Sequence, residues 1–276
     1  MADYLQEELR IALDAAHRAG AMILEEYGRF EVIPNAPATI STHVDHQSQE
    51  IILQTLQQAF PQDALCAEEA TITLAEARTV AERIWVVDPI DGTRGFARKN
   101  GQFSVMIGLR VGPDVILGVV HEPVFNRTTY AVKGRGCFVL QHGESQRCHV
   151  SPLENPTEGR LTQSHTKPGK GPSPAFSRLE RSAHQLVETY SAGVKMALIA
   201  RGEAEWYVNT EIGFKDWDIA AGHILVTEAG GHVTTLAGSP IRYGEPGFVQ
   251  RSGMIASNGH LHALAVQQMK DFPTPE

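Results

Sequence analysis

Asp88 and Asp91 stand three residues apart in the string Trp85-Val86-Val87-Asp88-Pro89-Ile90-Asp91-Gly92-Thr93. Two carboxylates so near one another repel, by roughly 4 kcal/mol at about 4 Å and an effective dielectric of about 20. They share a proton, or a cation sits between them. An all-oxygen site favours Mg2+ or Mn2+. The backbone N–H groups of Gly92, Thr93 and Arg94, next in the chain, favour an anion such as phosphate. The plainer reading is an Asp pair in a strand-end turn, where Asp and Pro are common.

The neighbouring residues say how such a pair would be held. Ile84 to Val87 is a short apolar run, the pattern of a strand covered on both faces. Pro89 lacks a ladder donor, so pairing is expected to stop there. Gly92 permits a close ligand approach. Thr93 reads as the N-cap of a following helix. The two carboxylates would then lie at the mouth of a sheet.

The rest of the chain supplies the other elements. Residues 3–27 carry Leu5, Leu9, Ala12, Leu13, Ala16 and Ala19 at helical spacing. Residues 29–41 read as a loop, and Thr42-His43-Val44-Asp45 opens a second helix with Thr42 and Asp45 as caps. Ala64 to Ala67 is strand-like and leads into Glu68-Glu69, adjacent acids that by themselves read as solvated. They lie close enough to Asp88 in the chain to return to the same sheet end. Phe103–Val111, Val115–Pro123 and Thr128–Leu140 form an antiparallel meander, which gives an α+β character. Gly134-Arg135-Gly136 is a hairpin turn, since the third glycine of a dinucleotide fingerprint is missing.

Gln141 to Pro156 is polar and turn-rich, and the boundary between two halves, 1–145 and 146–276, is set there. Arg160–Ser164 reads as a strand ending at Ser164-His165. Lys167 to Pro174 is basic and rich in Pro and Gly, either a surface loop or a lid over an anionic ligand. Ser191 to Lys195 starts a helix, and a lysine there opposes the helix dipole, which points to a ligand for Lys195. Trp217 to Glu228 is a helix with Ile219, Gly222, His223, Val226 and the following Ala229-Gly230 near one side, whose small residues invite another backbone close. Asp218 in its first turn favours the helix whatever its function, and His223 reads as packed. Met254–Ala256 and a closing helix complete the chain.

Bulk properties narrow the classes. The 276 residues are 42% hydrophobic and 20% charged, as in an ordinary soluble domain. A net charge of −8 argues against a nucleic-acid-coating protein but not against a small anionic substrate. No apolar run is long enough to span a bilayer, and Met-Ala-Asp-Tyr does not read as a secretory signal. Cys66, Cys137 and Cys148 are scattered without C-x-x-C spacing, which suits a reducing cytoplasm.

Four segments in this order resemble the inositol monophosphatase superfamily. They are Ala67-Glu68-Glu69, Trp85–Thr93, Trp217–Ala221 with Glu228-Ala229-Gly230-Gly231, and Ala256-Ser257-Asn258-Gly259. The resemblance covers nearly the whole chain and implies a layered αβαβα sandwich with the active site between two halves. It implies metal ligands at Glu68, Asp88, Asp91, Asp218 and the Ile90 carbonyl, and a water-orienting pair in Asp45 and Thr93. Gly92 and Thr93 would supply N–H groups to phosphate. The implied cofactor is Mg2+, with Mn2+ as a substitute and Li+ as an inhibitor, and the implied activity is phosphate-ester hydrolysis by activated water.

Arg94-Gly95-Phe96, Asn100-Gly101-Gln102-Phe103-Ser104-Val105, Ser164-His165 and Gly193-Val194-Lys195 are similar to the 3′(2′),5′-bisphosphate nucleotidase branch. That likeness implies 3′-phosphoadenosine 5′-phosphate as substrate. His165 and Lys195, with Lys167 or Lys170, would then face the second phosphate. The rival readings are a phosphatase of inositol phosphate, histidinol phosphate or fructose bisphosphate, and a non-catalytic metal- or nucleotide-binding protein on the same scaffold. A small phosphorylated substrate is the expected partner, with a homodimer left open. The sequence departs from the superfamily pattern in having no basic residue in Asn35 to Ser41 and Ala67 where glycine is common.

Overall fold

Consecutive pieces of chain build the first sheet. In the computed structural model, which describes residues 5–37, 39–165, 173–179 and 183–272, α1 (Gln6–Arg29) and α2 (His43–Ala59) come first. Strand β1 (Ala64–Ala67), the short α3 (Ile72–Glu76), β2 (Arg83–Asp91) and α4 (Thr93–Ala97) follow. The meander is β3 (Ser104–Val111), β4 (Asp114–Glu122), β5 (Arg127–Val132), β6 (Gly136–Gln141) and β7 (Glu144–Cys148). These strands make one sheet in sequence order, β1 parallel to β2 and every later pair antiparallel. The stretch after Gln141 is therefore not all connector, because Glu144–Cys148 pairs with β6 across a two-residue turn at His142 and Gly143.

The second sheet takes β8 (Gly159–Gln163), β9 (Ala183–Glu188), β10 (Trp206–Asn209), β11 (His232–Thr234) and β12 (Met254–Ser257), in the order β11-β12-β10-β8-β9. Between them in the chain lie α5 (Pro174–Leu179), α6 (Ala192–Ala200) and α7 (Asp216–Glu228), and α8 (His262–Met269) closes it. Lys167 and Lys170 fall outside the described residues.

Alternation in β2 sets the layering. Trp85 and Val87 pack with Ala12, Ala16, Ala19 and Ile23 of α1 and Val44, Ile52 and Leu56 of α2. Ile84 and Val86 point the other way, onto Met196 and Ile199 of α6 and Ile219 and Ala220 of α7. Across these helices lie Tyr207, Met254 and Ala256 of the second sheet. That sheet's outer face packs Trp206 and Ile255 against Leu179 of α5 and Ala265 and Met269 of α8. The result is the αβαβα sandwich, each sheet covered on both faces.

Close helix–sheet contact depends on small residues. A Cβ on Gly118 of β4 would lie 2.4 Å from the Ala221 carbonyl oxygen of α7. The close approach expected at Gly222 is to a side chain, since a Cβ there would lie 2.4 Å from Met196 Cε. His223 is packed, its Nδ1 2.8 Å from the Tyr243 hydroxyl. Among the described residues no helix is long and apolar enough to cross a membrane.

Candidate active site

The end of β2 carries an extra residue. Asp88 stands opposite Met106 and Asp91 opposite Ser104, so three steps on β2 match two on β3. In a regular strand, residues three apart point to opposite faces. The bulge turns both carboxylates to the same side, toward the helices between the sheets. Pairing does not stop at Pro89, as its missing donor suggested. It is interrupted there and resumes at Asp91, because the bulge accommodates a residue without an N–H.

Gly92 follows with φ of 89°, and a Cβ there would sit 2.8 Å from the Gln102 carbonyl oxygen. Gly92, not Thr93, occupies the N-cap of α4. Thr93 is the first helical residue, and its hydroxyl turns away from a capping role. It lies 2.9 Å from Asp45 Oδ1 and 3.0 Å from the Ile90 carbonyl oxygen. Asp45 is fully buried, and its other oxygen accepts from the Thr42 N–H at 2.8 Å and the Thr42 hydroxyl at 2.6 Å. The capping reading of Thr42 and Asp45 thus holds, and Asp45 is at the same time tied to Thr93. Burial pushes its pKa up, and the Thr42 bonds oppose that.

A cavity of about 540 Å3 opens over these groups. Glu68, Asp88, Ile90, Asp91, Gly92, Thr93, His165, Lys195 and Asp218 all line it, whereas Asp45 lies behind Thr93. Five segments, the ends of β1 and β2, the strand-end loop after β8 and the starts of α6 and α7, are brought together. Glu68 and Glu69 part company. Glu68 faces the cavity, while Glu69 accepts from the Ser41 hydroxyl at 2.7 Å and joins the loop before α2 to the site wall.

The carboxylates are crowded. Burial, then the charges of Asp218 and Glu69, push Glu68 up to about 8. Burial also pushes Asp218 up to about 7 against the Lys215 N–H that its carboxylate accepts. Asp88 is raised by burial and by Glu68, with which it shares a hydrogen bond. Asp91 is raised by burial although three groups donate to it: the Ser191 hydroxyl, the Gly193 N–H at 2.7 Å and the Ala192 N–H at 3.1 Å. Among the described residues no three of these side chains already stand as a ready-made coordination cluster. Repulsion accounts for this: Asp88, Asp91 and Asp218 each turn to a nearby donor. Hard oxygen donors whose charged forms are disfavoured by burial and by one another suit a divalent cation.

The far wall is cationic. Lys195 is 1% exposed, with Nζ 3.0 Å from Ser164 Oγ, 3.2 Å from the Tyr190 carbonyl and 5.1 Å from the Tyr207 ring centroid. Burial lowers it to about 8, against the attraction of Asp91. His165 stands beside Lys195 on this wall. Its Nε2 lies 2.6 Å from Gln102 Oε1 and its Nδ1 3.5 Å from Glu188 Oε2. Both nitrogens face acceptors, while burial lowers its pKa against the attraction of Glu188.

Sequence reasoning passed over Tyr190, Tyr207, Asn209 and Glu211, which also line the cavity. Arg94 was named for its backbone N–H and in a branch likeness, not for its guanidinium. Ser191 was readable as a helix start, and it does cap α6 by accepting from the Val194 N–H at 2.9 Å. Its bond to Asp91, a hundred residues away, had no local signal.

Comparison with known proteins covers the same length. The model of the inositol monophosphatase family matches residues 4–273. Inositol monophosphatase 1 of Rattus norvegicus is 30% identical over 284 residues, covering 99% of this chain and 98% of its own. A fructose-1,6-bisphosphatase/inositol-1-monophosphatase of Thermotoga maritima is 28% identical, covering 90% of this chain and 93% of its own. Among solved structures, a Thermotoga maritima IMPase superposes with a TM-score of 0.80 at 28% identity, over 96% of this chain and 98% of that one. The extragenic suppressor protein SuhB of Bartonella henselae gives 0.80 at 25% identity, over 97% and 100%.

Proposed function

The chain belongs to the inositol monophosphatase family and is a phosphatase of that family, and from this premise we propose a Mg2+-dependent hydrolysis of a nucleotide bearing two phosphates. The substrate that fits best is 3′-phosphoadenosine 5′-phosphate, converted to AMP and phosphate. The observation that carries this reading is the buried ammonium of Lys195. It stands on the cavity wall with two neutral acceptors, Ser164 Oγ and the Tyr190 carbonyl. One end of the cavity is thus acidic and the other cationic. A substrate with a phosphate at each end satisfies both.

Glu68, Asp88, Asp91, Asp218 and the Ile90 carbonyl would hold the cation. When bound, Mg2+ supplies Lewis acidity toward phosphate oxygens and water, and Mn2+ can replace it. Thr93 has one hydroxyl proton and directs it to Asp45 or Ile90. Its remaining lone-pair capacity orients an attacking water and accepts that water's hydrogen. Asp45, fixed by Thr42, keeps Thr93 in this pose. Gly92 and Thr93 offer N–H groups to the phosphate under attack. Asp91 is held by the start of α6, so its position does not depend on side-chain freedom. No covalent nucleophile is required. His165, held between Gln102 and Glu188, presents a ring face to the base or sugar.

Inositol monophosphate is the second reading. Asn209 and Glu211 on the cavity wall are acceptors suited to a polyol's hydroxyls, and several relatives carry that activity in their names. A non-catalytic role is disfavoured, since every expected ligand is present. The three free thiols, Cys66, Cys137 and Cys148, support a reducing, cytoplasmic setting. Phosphate release with Mg2+, comparing 3′-phosphoadenosine 5′-phosphate with inositol 1-phosphate at equal low concentration, separates the readings. A preference for inositol 1-phosphate would retain the cation chemistry and remove Lys195 from substrate binding.

A further inference from the structure

Two of the three cysteines face each other across the edge hairpin of the first sheet. His142 and Gly143 have φ of 53° and 81°, a two-residue turn that ties Gln141 to Glu144 as a hydrogen-bonded pair. Hydrogen-bonded and open pairs alternate along an antiparallel ladder, so Cys137 and Cys148 are again a hydrogen-bonded pair. Such Cα atoms stand about 5.5 Å apart, within the roughly 4.4–6.8 Å that a disulfide spans. Directly opposite residues share a face of the sheet. Here it is the inner face, where both side chains join Ala197 and Ala200 of α6 and Ala221, Leu225 and Ala229 at α7 in one apolar cluster. Cys66 lies in a different cluster, with Ile84 and Val86 of β2.

The two thiols are not equivalent. Cys137 is fully buried, whereas Cys148 closes β7 and keeps 4% of its surface exposed. The Cys137 thiol holds that of Cys148 below its ordinary pKa, and the Arg201 charge acts the same way against burial. Cys137 is pushed up, by Cys148 and by burial. A thiol favoured as thiolate beside a protonated one is the arrangement of an attacking and a resolving cysteine.

We propose that Cys137 and Cys148 are a redox-sensitive dithiol, which hydrogen peroxide converts to a cross-strand disulfide. The Cys148 sulfur attacks one peroxide oxygen. The O–O bond breaks, and the departing hydroxide takes the thiol proton and leaves as water. The Cys137 sulfur then attacks the sulfenic acid on Cys148. The S–S bond forms, the S–O bond breaks, and the oxygen leaves as a second water with the Cys137 proton. The thiols together lose two electrons and two protons, and the peroxide becomes two waters.

The bond would act on the frame of the molecule. The chain leaves β7 at Cys148 and crosses to the second sheet, where the Val150 N–H donates to the Ala229 carbonyl at 3.1 Å. Apart from Cys148, the residues of β7 are exposed, so little apolar burial holds that strand. A disulfide would fasten the edge strand and the start of the crossing to β6. The candidate catalytic groups stand at the other ends of α6 and α7.

The test treats the native full chain with hydrogen peroxide, alkylates it with iodoacetamide in urea and digests it with trypsin without reductant. Cleavage after Arg135, Arg147 and Arg160 puts the two cysteines in separate peptides, 136–147 and 148–160. Mass spectrometry should find them joined, lighter by two hydrogens, with Cys66 alkylated. Hydrogen exchange at the amides of β7 should slow roughly tenfold to hundredfold in the oxidised chain. Dithiothreitol should reverse both changes. Cys148→Ser should leave Cys137 fully alkylated after the same treatment. Cys148 halted at sulfinic acid beside alkylated Cys137, or a bond to Cys66, would overturn the pairing. Joined peptides with unchanged exchange would overturn the fastening of β7. Should Cys148→Ser not fold, the linkage mapped in the parent chain decides.

Discussion

The Asp91 carboxylate sits 2.7 Å from the backbone N–H of Gly193 and also accepts from Ser191 and Ala192. A strand end in the first sheet and the start of α6 are thereby one unit. Ser191→Ala should separate them. It removes the cap of α6 and the hydroxyl on Asp91 together. Urea unfolding should show a loss of about 1–2 kcal/mol, and Mg2+ affinity by calorimetry should fall roughly tenfold to hundredfold. Unchanged affinity would mean that Asp91 is positioned by β2 alone.

Thr93→Val keeps the shape of the side chain and removes the hydroxyl between Asp45 and the Ile90 carbonyl. kcat should fall on the order of a hundredfold, with KM moving much less. A change confined to KM would reassign Thr93 to binding.

The acidic end should couple cation binding to stability. Asp218 is raised to about 7, well above the ordinary aspartate value. A group raised in the folded state stabilises fully below its ordinary pKa, and that contribution is lost as pH rises through the folded value. Mg2+ should therefore raise the melting temperature more at pH 8 than at pH 5.5. Asp218→Asn should melt higher than the parent protein without Mg2+ and gain less when it is added. A Mg2+ increment independent of pH would contradict the crowding of these carboxylates.

Acid stability should follow buried imidazoles. Burial lowers His121, His223 and His262 to about 4. Their neutral forms favour the fold above pH 6.5, and that stability is lost as pH falls from about 6.5 toward 4. By pH 5 each contributes a loss of roughly 2 kcal/mol. His121→Gln, next to Thr128 and His17, should flatten the pH dependence of urea unfolding between pH 7 and 5. A curve parallel to that of the parent would exclude His121.

The seat of α7 gives a structural test. Gly118→Ala places a Cβ 2.4 Å from the Ala221 carbonyl oxygen and 2.5 Å from Ile224 Cγ2. The helix must move, so stability should drop by about 2 kcal/mol or more. Activity should fall as well, since Asp218 rides on α7. A melting curve like that of the parent would show that the layer yields without moving the helix.

Much of the fold was legible because its signals are local. Helical spacing in residues 3–27 marked α1, though its first turn begins at Gln6, and the runs Phe103–Val111, Val115–Pro123 and Thr128–Leu140 marked the meander. The strand at Glu144–Cys148 was missed because its residues, Glu-Ser-Gln-Arg-Cys, are polar and exposed except the last. An edge strand of that kind has no apolar alternation to detect. Pro89 misled for a related reason: a proline does forbid a ladder bond, but a bulge can absorb it.

For the site, residue type and spacing determined the chemistry. Asp88, Asp91, Glu68 and Asp218 are hard oxygen donors wherever they fall, and the strings around them carry the family likeness. Tertiary structure decided which donors face the same way and what each one touches. The bulge at Pro89-Ile90 put Asp88 and Asp91 on one side, and the second sheet brought Lys195, Tyr190 and His165 opposite them. It also set the His165 ring between Gln102 and Glu188 and the Arg94 guanidinium against the Tyr190 ring. The reason is physical: charge type belongs to a residue, whereas burial, repulsion and hydrogen-bond partners belong to neighbours that only the folded chain supplies.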